Sequence, residues 1–143
     1  MKKRKSALAG LASAALVFAP VAGAEVPGLD PFVGTWQKHE ERLVIDSAGT
    51  GVDAYPDFTT CPSCSSGDAP PGTLTFTFTS VTNGVASGTV TASSDAKNHA
   101  VGESVTAMLA HGSPGQLLAL TIGGVEQLPF CDPTAEAKGQ CGA

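Results

Sequence analysis

The run Thr73-Leu74-Thr75-Phe76-Thr77-Phe78-Thr79 permits one kind of backbone. Its large apolar residues recur at every second position, so an extended chain puts Leu74, Phe76 and Phe78 on one face and the threonines on the other. A helix would scatter both sets around its circumference. The segment therefore reads as a strand with one face on a core and one in water. Val85 to Ser93 reads as its hairpin partner. A two-residue turn at Asn83-Gly84 would bring Phe78 onto the face of Thr89, mixing the two sides. A three-residue loop Thr82-Asn83-Gly84, with Gly84 at positive φ, instead pairs Phe76 with Val90, Leu74 with Ala92 and Phe78 with Gly88. That register is expected, with the Phe78 ring covering the space left by Gly88.

The same period recurs through the chain, and no window shows sustained apolar spacing of three and four. Further strands are expected over Phe32 to Lys38, Arg42 to Asp46, Gly51 to Pro56, Glu103 to Ala110, Gln116 to Ile122 and Val125 to Phe130. Gly, Pro, Asn and Asp clusters separate them. The chain is all-β with about eight strands. Short connections favour a small antiparallel up-and-down barrel stapled by disulfides, with a β-sandwich as the alternative. Two segments break the pattern. Residues 57–72 are too rich in Ser, Pro and Gly to join a sheet and form a long surface loop, and Ser94 to Ala100 is a second polar connection.

Residues 1–24 read as an export signal. Lys2, Lys3, Arg4 and Lys5 form a basic head, Ser6 to Ala19 is apolar, and Ala22-Gly23-Ala24 is a small-x-small cleavage site. The apolar run is too short to span a bilayer, and none that long follows, so no membrane span is expected. Removing 24 of 143 residues leaves 119, read as one all-β domain over 25–143 that is secreted. This mature chain keeps four basic residues, Lys38, Arg42, Lys97 and Lys138, against thirteen acidic ones, a net charge of −9. Such a surface repels phosphate backbones and anionic lipid, so nucleic-acid and membrane-surface binding are not expected.

The four cysteines, Cys61, Cys64, Cys131 and Cys141, are even in number in an exported chain and point to disulfides. Of three possible pairings, the tail over 131–143, with Pro133 and Gly139 as turn formers, favours Cys131 with Cys141. That leaves Cys61 with Cys64. A thiol–disulfide active site at Cys61-Pro62-Ser63-Cys64 would want a following helix, where Ser65-Ser66-Gly67 leads instead to Pro70-Pro71. Zinc is disfavoured because nine residues separate Cys131 from Cys141.

Phe32-Val33-Gly34-Thr35-Trp36 resembles the F-x-G-x-W signature that opens the first strand of lipocalin-like barrels. The resemblance implies that Gly34 permits a sharp entry and that Trp36 closes the barrel floor. The run from Gly34 to His39, with Leu43-Val44-Ile45, Gly49-Thr50-Gly51 and Tyr55, is similar to small exported actinomycete-type proteins of unknown function. A chain this long can close a barrel filled by its own side chains.

Candidate ligand-binding residues come from the first three strands: Trp36, His39, Arg42 and Tyr55. His39 and Glu41 would share a face of an extended chain, allowing an acid and base or half a metal site, although a solvated turn explains the cluster better. There is no G-x-S-x-G turn and no phosphate or dinucleotide loop, so no catalytic residue, metal or cofactor is expected. The expected function is that of a secreted, non-enzymatic barrel binding a small apolar ligand or a protein partner. The alternative is an accessory protein of the cell envelope without a ligand.

Overall fold

A computed structural model describes residues 23–111 and 115–141. The expected signal falls outside them apart from Gly23 and Ala24, as does most of the loop after His111. Nine strands form one antiparallel sheet: β1 Gly34–Lys38, β2 Glu41–Ile45, β3 Thr50–Pro56, β4 Pro71–Thr82, β5 Val85–Ser93, β6 Ser104–His111, β7 Gln116–Ile122, β8 Val125–Glu126 and β9 Phe130–Cys131. Each of β1 to β7 pairs with its neighbour in sequence, and β9 lies between β7 and β1. The result is a closed eight-stranded barrel, with β8 as an extra strand on the end of β7. The single late strand expected over Val125 to Phe130 is thus two short ones, split by Gln127 to Pro129. Closure removes the free edges that an open sheet would expose.

Alternation places Leu43, Ile45, Leu74, Phe76, Phe78, Val90, Val105, Leu118 and Leu120 inside, all fully buried. Each such side chain stabilises the fold by about 1.5–3 kcal/mol. Phe76 and Phe78 meet edge-on, with ring centroids 5.0 Å apart. One end of the barrel is plugged by the chain before β1. There Leu29 and Phe32 are buried, a 3-10 turn spans Asp30–Phe32, and Trp36 Nε1 donates to the Phe32 carbonyl at 2.9 Å.

The β4–β5 hairpin differs in its detail from the sequence expectation. Phe76 pairs with Val90 and Phe78 with Gly88 as expected, but Thr82 pairs with Val85 across a two-residue turn. Asn83 (φ 52°) and Gly84 (φ 76°) both take the left-handed conformation such a turn demands. The one-residue offset comes from a bulge at Thr79 within β4, which keeps the phenylalanine face inward. A second bulge, at Thr91, sets Leu74 opposite Ser93 rather than Ala92. Gly88 is also required for a different reason. A Cβ there would strike the Thr77 carbonyl and backbone of β4, whereas the glycines covered by aromatic rings are Gly51, under Phe76, and Gly72, under Tyr55.

Both disulfides are formed, Cys61–Cys64 with Cα atoms 5.4 Å apart and Cys131–Cys141 at 5.8 Å. The first sits in the strandless segment between β3 and β4, closed at its base by Asp57 N donating to Pro70 O at 2.7 Å. The second fastens the tail against β9, after a single helical turn, α1 Pro133–Glu136. Asp132 caps that turn by accepting from Ala135 N at 2.8 Å, and its other carboxylate oxygen accepts from Gln116 N of β7 at 2.9 Å. No helix among the described residues is long and apolar enough to cross a membrane.

Candidate functional site

Opposite the plugged end, the barrel opens into a cavity of about 90 Å³ lined by Lys38, Glu41, Asp53, Tyr55, His99 and Gln127 over an apolar base of Leu74, Ile122 and Phe130. Period two brings the charged members inside. Lys38 follows Trp36 on the inward face of β1, and Glu41 precedes Leu43 and Ile45 on that of β2. On β3 the inward residues are Gly51, Asp53 and Tyr55, so Val52 points outward at 40% exposure. Gly51 has to be the inward member because the Phe76 ring occupies the space a side chain would need.

Lys38 is only 7% exposed, and it is doubly engaged. Its Nζ lies 2.7 Å from Glu41 Oε2 and 4.5 Å from the centre of the Phe130 ring, an ion pair and a cation–π contact together. Asp53 is 6% exposed and has no such partner. Burial pushes its carboxyl from 3.8 up to about 7, the Glu41 charge adds to the rise, and Lys38 opposes it. Burial likewise raises the Tyr55 phenol, with nearby Ser94 working against the shift. His99 is carried by the β5–β6 connection, which Asp95 organises by accepting from Asn98 Nδ2 at 2.6 Å and, through its carbonyl, from His99 N at 3.0 Å.

Three buried side-chain atoms among the described residues have no hydrogen-bond partner: Asp53 Oδ1, the Tyr55 hydroxyl and His99 Nδ1. All three belong to residues lining this one cavity. The nearest charged oxygen to His99 Nδ1 is Glu103 Oε2 at 3.9 Å, beyond hydrogen-bond reach. Leaving a buried polar atom unpaired costs about 1–3 kcal/mol, so the three together single out this cavity as the candidate site. No family model, curated protein or solved structure matches the chain.

Of the four ligand-binding residues expected from sequence, only Tyr55 lines the mouth. Trp36 is in the plugged half with its indole N–H satisfied. Arg42 lies on the outer face of β2, and His39 is exposed in the β1–β2 turn with φ 48°. That turn also breaks the extended geometry that would have put His39 and Glu41 on one face. Lys38 pairs with Glu41 across the turn instead. Among the described residues no three His, Cys, Asp or Glu side chains converge closely enough to hold a metal ion.

Proposed function

We propose that the protein is a secreted, non-enzymatic binding protein whose ligand site is the polar mouth of a filled barrel. The observation that carries this reading is that three residues lining one cavity, Asp53, Tyr55 and His99, each hold a buried side-chain atom without a hydrogen-bond partner. An apolar ligand inside the barrel is disfavoured because Phe76, Phe78, Leu43 and Leu118 fill its axis. The ligand is therefore small and polar, held at the rim and excluded from the core. Two disulfides and the leader-like first residues support export. The first-strand resemblance to lipocalin-like barrels agrees with a binding role at an open end.

Native mass spectrometry of the protein recovered from its own culture fluid tests the reading. A defined non-protein mass that is retained by the protein and absent from an Asp53→Asn variant is the expected result. A bare disulfide-bonded mass from both would overturn it and favour the ligand-free accessory protein.

A further inference from the structure

Resting on the mouth as the binding site, we infer that its ligand is a small organic cation with N–H donors, a primary ammonium or guanidinium group, and that the Asp53 carboxylate is its counter-charge. The charges in the mouth do not cancel. Lys38 is taken by Glu41 at 2.7 Å and by the Phe130 ring, and no cation stands within ion-pair distance of Asp53 among the described residues. Asp53 Oδ1 is nonetheless sealed from solvent without a hydrogen-bond partner, and Asp53 lines the cavity. A buried carboxylate in that state is stabilised most by a ligand bringing both positive charge and hydrogen-bond donors.

The other groups agree. Tyr55 offers a hydroxyl oxygen and His99 a ring nitrogen, and Gln127 spends one of its two Nε2 hydrogens on the Val125 carbonyl at 3.2 Å. An anionic ligand would instead approach Asp53 and Glu41 against the field of a strongly acidic chain. A bare metal ion lacks a converging ligand set among these residues. The volume of about 90 Å³ matches roughly three waters at about 30 Å³ each, which suits a cationic head of a few heavy atoms.

Three probes of matched size and different charge test the assignment: n-propylammonium, propan-1-ol and propionate, each titrated at about pH 8 into isotope-labelled protein with amide shifts as the readout. The expected result is saturable movement of the Asp53, Tyr55, His99 and Gln127 amides by propylammonium, with an affinity at least about tenfold above that for propanol. Asp53→Asn should remove that preference while the remaining amide spectrum stays in place. Tyr55→Phe, which keeps the ring over Gly72, should weaken it about threefold or more. Saturable binding of propionate at the same amides would overturn the cation assignment while leaving the mouth a ligand site. Equal binding by wild type and Asp53→Asn would overturn the role of the carboxylate. No movement by any probe would overturn both this inference and the functional reading it rests on.

Discussion

Lys38 and Glu41 hold each other at 2.7 Å across the β1–β2 turn, while Asp53 on β3, next to β2 in the sheet, has no ion-pair partner among the described residues. Three charged side chains enter the mouth from β1, β2 and β3, and two of them neutralise one another. The third is a buried acid with no ion-pair partner. A barrel selected for stability alone would place an apolar residue there, as it does at Leu74. On the proposed reading, Asp53 is a position where stability and function pull in opposite directions.

Asp53→Asn should make the protein more stable at neutral and higher pH. Because the folded carboxyl titrates near 7 and the unfolded one at 3.8, the native state holds more protons between those values. Stability from this group is thus complete below the unfolded value and is lost as pH rises through the folded one, by about 4 kcal/mol at the limit. The groups facing it, Lys38, Glu41, Tyr55 and His99, are retained in the variant. Urea unfolding should show the variant ahead by about 2–4 kcal/mol at pH 8 and by less than about 1 kcal/mol at pH 4. Destabilisation by the substitution at pH 8 would mean that the carboxylate makes a stabilising contact.

Gly51→Ala and Gly88→Ala should both destabilise, for different reasons. The first forces the Phe76 ring from its seat, and the second drives a methyl into the Thr77 carbonyl of the neighbouring strand. A ring can rotate and a paired strand cannot, so Gly88→Ala should cost more, about 3 kcal/mol against about 1–2 kcal/mol. Thermal melts of the two variants compare the losses directly.

The two disulfides should differ in importance. Cys131–Cys141 anchors β9, whose two residues provide the whole bridge from β7 to β1. Replacing both of its cysteines with Ala should cost about 2–3 kcal/mol and raise amide exchange along β1 and β7. The same change at Cys61 and Cys64, in an exposed segment, should cost under about 1 kcal/mol and leave barrel exchange unaltered.

Trp36→Phe should lower stability by about 1–3 kcal/mol through the loss of the bond to the Phe32 carbonyl and the void it leaves. In the native protein the single Trp is buried and should emit at short wavelength, shifting to the red on unfolding. Coincidence of that shift with loss of β circular dichroism would show that plug and barrel unfold together.

The architecture was largely legible because its cause is local. Alternation in Thr73–Thr79 dictates an inward face, and the turn residues around it dictate where strands end. The offset between β4 and β5 was legible too, since only one pairing keeps Phe76 and Phe78 on the side of Val90. Its location was not: a turn bulge and a strand bulge at Thr79 satisfy the same facing rule, and the left-handed preference of Asn83-Gly84 decides for the second.

The mouth was legible only in part. Continuing the period from Trp36 and from Leu43 points Lys38 and Glu41 inward, and that signal could have found them. Asp53 offered no such signal, because Val52 and Ala54 on either side make the opposite face of β3 look like the core. Exposed turn chemistry drew notice to His39, which points away from the cavity. His99 stands far along the chain in a polar connection, and nothing local marks it.

By itself the sequence determined a disulfide-stapled sheet with Leu74, Phe76 and Phe78 inside, because alternation, turn propensity and cysteine parity act between near neighbours. Only the tertiary structure decided which face of β3 turns inward. That choice depends on the Phe76 ring from an adjacent strand filling the place above Gly51, a contact between residues 25 positions apart in sequence. With it, Asp53 enters the barrel mouth beside Tyr55 and His99.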